Sequence, residues 1–595
     1  MKSPLARLFA ILLTSAALCG GPHAHAQSCS TGGEVQICLD AAAASDGVAL
    51  SWTLSGEVSA IEVYRESPAS PKARIPIARL PASARRYTDT TIPTAASYRY
   101  WIGFTVGTTA YTSNRVSVMA GAPCAATPLT PYMYLDGVWT QTAGATIMSG
   151  DRVVIGLVPI EGGSWSWQGC GITSTEREQT LKPAESCAAM ATFINRCGAA
   201  STQKFQVLVE PAPLSYPDYN PNPLAADPAG MSSAMELAAR MRLGWNLGNT
   251  LESIPGGETG WGNPLVTEAF IAYVKASGFD TIRLPVSWNP FADRHSAAIS
   301  PERMARIKEI VQYCINQGLF VIVNIHWDGG WLENNITTSA QAAVNAKQKA
   351  FWQQIATELR GFDEHLLFAS ANEPAVVSVA GTDSPEVAAE HMSVLLSYHQ
   401  TFVDAVRATG GRNAYRVLVV QGPNTNIDLT NSLMRTLPSD PAPGRMMVEV
   451  HYYEPWNYVG MTVDETWGNQ AFYWGEGFHS TSDPAHNAMW GEEAYMESKF
   501  DLVRDQFVQH GIPVLIGEFA TPRRTGQLVG AALELHLAGR AYFHEYVVRS
   551  ALAHGLIPIY WDSGFLGDFG SGIFDRPNLR VGDPQTLEAL NAGKR

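Results

Sequence analysis

Residues 366–377 read LLFASANEPAVV, an apolar run that passes without a turn residue into Asn372, Glu373 and Pro374. A short apolar run of this kind suits a fully buried strand. A carboxylate at its end is costly to desolvate unless something uses it. The same grammar recurs in RLGWNLG (242–248), DTIRLPV (280–286), LFVIVNIHW (319–327), YRVLVVQGP (415–423), MMVEVHYY (446–453), IPVLIGEFA (512–520) and LIPIYWD (556–562). Between several of these runs lie stretches of helical period, such as TEAFIAYVKASG (267–278) and RMARIKEIVQYCINQG (303–318). They often close on a glycine, as helix C-termini prefer. Eight continuous apolar strands separated by helices imply a parallel sheet covered on its outer side, and a count of eight closes it. The expected fold of residues 231–595 is therefore an α/β (β/α)₈ barrel.

In such a barrel the site lies at the C-terminal ends of the strands. The eight runs finish in Asn246 and Asn249, Arg283, His326 and Trp327, Asn372 and Glu373, Gln421, His451 and Tyr453, Glu518, and Trp561 and Asp562. One polar residue at a rim is ordinary. Titratable or planar groups at nearly every end are not. Glu373 ends the fourth run and Glu518 the seventh, roughly opposite each other in a closed ring of eight. Two carboxyl groups facing across a cleft are the machinery that cleaves a glycosidic bond, one as acid and the other as nucleophile or base. The alternative is that each glutamate merely pairs with an arginine, Arg283 being at hand. His326 and His451 show no HExxH or other ligand spacing, and no GxxxxGK[ST] or strand-to-helix GxGxxG is present, so neither a metal nor any other cofactor is expected.

In this order and spacing GWNLGNTLE (244–252), TIRLPVSW (281–288), NIHW (324–327), ANEP (371–374), HYY (451–453), IGEF (516–519) and YWD (560–562) resemble glycoside hydrolase family 5, in particular its secreted bacterial endo-β-1,4-glucanases. The resemblance covers about residues 231–577. It implies Glu373 as general acid/base and Glu518 as nucleophile of a retaining double displacement. Arg283, His326, Asn372, His451, Tyr453 and Trp561 match the family's remaining active-site positions, with Trp561 as the floor beneath the sugar. The peptide bond after Trp561 becomes a candidate cis bond on the same grounds.

Physical chemistry adds expectations to these roles. Pro374 restricts Glu373 to extended backbone. The second carboxylate should raise the pKa of Glu373, while Arg283 and the Tyr453 hydroxyl should keep Glu518 ionised. Retention requires carboxyl groups about 5–5.5 Å apart. Asn372 is placed to bond the sugar's 2-hydroxyl. Asn249 is a further substrate-binding candidate. Of Trp261, Trp288, Trp327, Trp331, Trp456 and Trp474, the two expected to line the cleft are Trp288 and Trp331. The function expected is endo-acting, retaining β-1,4-glucan hydrolysis. Xyloglucan, mixed-linkage glucan or mannan are alternative substrates for the same pair, and a non-catalytic polysaccharide-binding protein is the alternative from another class.

The remaining sequence divides into accessory parts. Residues 1–26 carry Lys2 and Arg7, an apolar core and Ala24-His25-Ala26, the pattern of a secretory signal. A secreted or periplasmic, monomeric protein with no membrane span is expected. Residues 27–122 show period-two segments, with Trp52, Tyr98 and Tyr100 resembling the core of a fibronectin type III module. Residues 123–210 resemble an immunoglobulin-like sandwich, in which Trp165 and Trp167 share a face as core or as a sugar platform. Residues 211–230 hold six prolines and read as a stiff tether.

Six of the cysteines after the signal, Cys29, Cys38, Cys124, Cys170, Cys187 and Cys197, suggest disulfides. Spacing favours Cys29 with Cys38 and Cys187 with Cys197, leaving Cys124 with Cys170, among fifteen possible pairings. Cys314 reads as a buried apolar residue. With 41 basic residues against 55 acidic ones, a net charge of −14 and no basic stripe, nucleic acid is not an expected partner.

Overall fold

The structure, a computed structural model, describes residues 28–595 apart from 45, 68–69, 93–95, 121–125, 136, 150, 161–162, 196–198, 255, 379–380 and 382. Residues 1–26, where a secretory signal is expected, Cys124 and Cys197 lie outside the described residues. Two compact units are distinguished, and the second comprises Pro131–Gly156, Glu178–Ala188 and Phe205–Arg595.

The N-terminal module has one sheet of Ser28–Gly32, Val35–Ala44, Gly47–Leu54 and Arg86–Asp89, and a second built around Ala96–Val106. Val48, Leu50 and Trp52 point into its core, as do Tyr98 and Tyr100. The Tyr100 hydroxyl donates to Asp89 at 2.8 Å, so the buried phenol keeps a partner. Cys29 and Cys38 face each other in register and are bonded. Cys170 and Cys187 are each disulfide-bonded. Trp167 is buried and donates to the Glu176 carbonyl, while Trp165 packs at 4.5 Å on Phe193, which is the core reading of that pair.

The barrel consists of β1 (Gly244–Leu247), β2 (Thr281–Leu284), β3 (Phe320–Asn324), β4 (Leu366–Ala369), β5 (Leu418–Gln421), β6 (Met446–His451), β7 (Val514–Phe519) and β8 (Leu556–Asp562), closed by pairing of β1 with β8. Around it run α1 (Glu268–Ala276), α2 (Pro301–Asn316), α3 (Gln341–Leu359), α4 (Pro385–Ala408), α5 (Ile427–Leu433), α6 (Glu493–Gln506), α7 (Gly530–Ala553) and α8 (Pro584–Gly593). The helix starts follow from local chemistry. Ser300 and Ser384 cap α2 and α4 through their hydroxyls, and each is followed by a proline in the first helical turn, where a missing N–H costs nothing.

Six of the strands, β3 to β8, serve two apolar cores. Trp245, Ile282, Val321, Val323, Phe368, Leu418, Val420, Val448, Val450 and Ile516 pack outward against the helices. Their alternates Phe320, Ile322, Leu367, Ala369, Val419, Met447, Leu515, Ile557 and Ile559 form a separate apolar cluster, which Ala234, Leu237 and Met241 of the preceding segment join. Continuing the same period toward the strand ends, that face turns polar at Asn246, Arg283, Asn324, Gln421, Glu449 and His451. Residues 211–230 lie along the barrel. Tyr219 donates to the Ser296 carbonyl at 2.6 Å, Asn220 to that of Ala408, and Ala226 bridges Gly411. Cys314 is buried in α2, where desolvation pushes its thiol far above the ordinary range, as suits a packing residue. Among the described residues no helix is long and apolar enough to cross a membrane.

Candidate active site

The two glutamates reach the floor of the barrel mouth by different routes. β4 stops pairing at Ala369. Beyond it Ser370 N–H still bonds the Val419 carbonyl, and Ala371 N–H bonds the Gln421 side chain at 2.8 Å. Glu373 therefore stands four residues past the strand, on backbone that leaves the sheet. On β7 the register slips so that His451 pairs with Glu518 after Val450 pairs with Ile516, making Gly517 the extra residue of a bulge. A Cβ at Gly517 would lie 2.1 Å from a carboxylate oxygen of Glu449, so glycine is required where the bulge turns Glu518 inward.

Nearest carboxyl oxygens of Glu373 and Glu518 and a ring nitrogen of His451 all lie within 4.8 Å of one another. Arg283 organises the set. Its Nη1 donates to Glu518 at 2.9 Å and to Asn246 at 3.0 Å, its Nη2 to Asn372 Oδ1 at 2.7 Å, and its Nε lies 2.9 Å from Glu449. Because guanidinium only donates, the Asn372 oxygen faces Arg283 and its amide nitrogen is turned the other way as a donor. Tyr453 donates to the second oxygen of Glu518 at 3.1 Å. His451 Nδ1 is 2.9 Å from Glu373 and 3.7 Å from Glu518, and its Nε2 is 3.2 Å from Glu449. These three atoms are close enough to ligate a cation, but Arg283 already lies against Glu518, and the His451 ring nitrogen lies against Glu373 at 2.9 Å.

These contacts reverse the expected charge pattern. Desolvation raises Glu373, but the hydrogen bond and charge of His451, with Arg283, outweigh it and leave the carboxyl below its ordinary value. Burial is the main cause that lifts Glu518 above its own, against His451 and Arg283, with Glu373 and Glu449 adding to the rise. Burial alone would lower His451, yet Glu518, Glu373 and Glu449 together hold it at about 9. In the free site the proton thus rests mainly on the imidazole of a coupled cluster. Glu449 is the residue that sequence reading missed, and it changes the result. Its signal was available: a lone charge two residues before His451 in MMVEVHYY, on the same inward face.

The other expected residues separate. His326 lies over Trp561 with ring centroids 5.8 Å apart and planes at 16°. Burial, with Arg283 and His451 nearby, keeps it neutral. Trp561 is partly exposed beside Asp562, which is buried and accepts from the Trp245 indole and from Arg576. The peptide bond after Trp561 is not cis, contrary to expectation. Asp562 continues β8 and pairs in register with Leu247, which extended trans backbone satisfies. Asn249 has positive φ and lends its N–H to Glu252 and its carbonyl to Asn263, so it shapes the β1 loop. Trp288 does not line the cleft. It is wholly buried, with its indole bonded to the Asn324 carbonyl at 2.9 Å. Trp331 is also buried, edge-on to Phe351. Of the other tryptophans considered, Trp261, Trp327 and Trp456 are exposed and Trp474 is not.

A family model described as "Cellulase (glycosyl hydrolase family 5)" matches residues 246–565. Endoglucanase A of Paenibacillus barcinonensis is 36% identical over 391 residues, which cover 62% of this chain and 92% of that protein. Two solved structures are similar. A GH5 xyloglucanase of Bacteroides ovatus, in complex with a XXXG heptasaccharide, has a TM-score of 0.58 and 29% identity over 76% of this chain and 98% of its own. XEG5B, a GH5 xyloglucan-specific β-1,4-glucanase from a ruminal metagenomic library, has a TM-score of 0.56 and 39% identity over 61% and 96%.

Proposed function

The chain belongs to glycosyl hydrolase family 5, and from that premise we propose that its endo-β-1,4-glucanase activity proceeds with retention, Glu518 being the nucleophile and Glu373 the acid/base. The observation that carries this reading is the approach of the two carboxyl groups to within 4.8 Å, the short separation of a retaining site. Exposure fits the roles: the Glu373 side chain is 48% accessible, open to a leaving group and later to water, against 7% for Glu518.

In the first half-reaction a Glu518 oxygen attacks C1. The bond to the leaving oxygen breaks, and that oxygen takes the proton of Glu373, which His451 supplies across their 2.9 Å contact. Forming the ester removes the charge of Glu518. Glu373, now anionic, accepts a proton from water, whose oxygen attacks C1 and releases the Glu518 carboxylate. Arg283 and Tyr453 stabilise the nucleophile before attack and after release, and the Asn372 amide donates to the sugar's 2-hydroxyl.

The substrate is a β-glucan. A second reading, xyloglucan preference, is favoured by the two solved relatives above, a xyloglucanase and a xyloglucan-specific glucanase. Incubating the full chain with cellulose, mixed-linkage glucan, xyloglucan and mannan, while following reducing ends and the anomeric configuration of fresh product by NMR, tests the proposal. β-Configured product first is the expected result; α-configured product would overturn retention. Export rests on the signal pattern of residues 1–26 and on the disulfides, and the protein acts as a monomer. The two β modules, 27–122 and 123–210, are read as accessory to the barrel.

A further inference from the structure

A buried carboxyl group stands behind Glu373 with no part in the steps above. Glu333, in the loop after β3, is almost wholly inaccessible, and neither of its carboxyl oxygens has a hydrogen-bond partner. Beside it is Asp328, equally buried. One Asp328 oxygen accepts from the Trp288 and Asn289 N–H groups at 2.8 and 2.7 Å, and the other has no partner. The Trp331 indole N–H faces Asp328, and the Asn372 N–H faces Glu333, both outside hydrogen-bond geometry. Lys347 acts electrostatically on Asp328 and lies over the Trp331 ring. The charged groups that act on Glu333 itself, Asp328 and Glu373, are both acidic.

The same residue grips the backbone that carries the acid/base. After β4 ends, no ladder holds Glu373, and Pro374 offers no N–H. The segment is pinned at four points: Ala371 N–H on Gln421, the Ala371 carbonyl by the Asn324 side chain at 3.4 Å, the Pro374 carbonyl by Asn424 N–H at 2.7 Å, and Ala375 N–H on the Glu333 carbonyl at 3.0 Å. Glu333 thus acts on the Glu373 segment through a backbone bond to Ala375 and electrostatically on Glu373 itself.

We propose that Glu333 is a positioning residue for the acid/base: its main-chain carbonyl holds the Ala375 N–H, and its buried side chain, kept as the neutral acid through turnover, fills the wall against the Asn372 N–H without adding a second fixed charge there. An ionised carboxylate with unpaired oxygens and two acidic neighbours is far costlier to bury than its protonated form. Burial, with Asp328 next, pushes Glu333 to about 8, and burial pushes Asp328 to about 7. Neutrality matters because Glu373 must be an acid in one half-reaction and a base in the next. That swing is driven by the charge of Glu518 appearing and vanishing. A permanent anion at Glu333 would favour protonated Glu373 in both halves and slow release of the sugar.

The inference rests on the roles assigned to Glu373 and Glu518, and its test separates the two. The full chain, Glu333→Ala and Glu333→Gln are assayed on phenyl and 2,4-dinitrophenyl β-cellobiosides from pH 5 to 10, with thermal midpoints recorded. A dinitrophenolate leaves without a proton, so in kcat/KM, which reports the first half-reaction only, a defect in placing the acid is felt by the phenyl substrate alone. The expected loss for Glu333→Ala is about 10²-fold in kcat/KM for phenyl and much smaller for dinitrophenyl. Glu333→Gln, an uncharged isostere, recovers most of that loss, and the alkaline fall of kcat/KM moves to higher pH. Equal losses on both substrates, or a Glu333→Gln as impaired as Glu333→Ala, overturn the proposal. A wild type inactive on both substrates instead overturns the assignment of the catalytic pair.

Discussion

The ends of β4 and β7 place the same side chain at the same floor by opposite means. At β7 the strand stays in the sheet, inserts Gly517 as a bulge and delivers Glu518 into a buried network of Arg283 and Tyr453. At β4 the sheet ends first, and Glu373 sits on backbone pinned from three neighbouring segments, facing the open cleft. As the proposed nucleophile, Glu518 must attack along one line, and a rigid, ladder-bound mount suits that role. An acid that becomes a base needs access to the leaving group and then to water, and that end is accordingly exposed.

The largest expected effect tests whether the buried end alone makes the bond. Glu518→Gln should lose about 10⁴-fold or more in kcat on every substrate, since losing a nucleophile removes most of the acceleration its unit provides. Residual turnover near wild type would break the comparison. Glu373→Gln should lose about 10²–10⁴-fold with poor leaving groups, the range of general acid catalysis, and far less with activated ones in the first step.

Gly517→Ala probes the mount itself. With Glu449 locked by Arg283 and Gln421, the added methyl must displace the bulge, and a shift of about 1 Å should cost about 10²-fold in kcat while both glutamates remain. Unchanged kinetics would show that the bulge does not set the nucleophile. Tyr453→Phe removes one hydrogen bond to a charged oxygen, for which about tenfold is expected.

The smallest effect concerns pH. The folded pKa of His451, about 9, lies above its unfolded value of about 6.5. Its contribution to stability is therefore complete below about pH 6.5 and is lost as pH rises through about 9. A thermal-midpoint series across that window should fall more steeply for wild type than for His451→Gln. Activity should drop over the same range, as the shared proton leaves the cluster.

Legibility of the site in the sequence followed one rule. Where a side chain stands on the inward face near a strand end, period-two reading placed it, as with Arg283, His451 and Glu518. Where a residue's fate depended on which way a loop turned, it did not. Trp288 and Trp331 sit beside strand ends and were expected in the cleft, yet the loops fold them into the core. The charge states were misjudged for a related reason: Glu449 lies within an apolar run and was passed over, although its field and that of Glu518 keep the proton on His451.

What the sequence by itself determined is the barrel, its two glutamates and the order of groups around the mouth, because strand period and strand count are local and additive. Only the tertiary structure decided the bulge at Gly517, the mount of Glu373, the trans bond after Trp561 and the resting place of the proton. Each of these depends on atoms from strands far apart in the chain, and on fields that become strong only once water has been excluded between them.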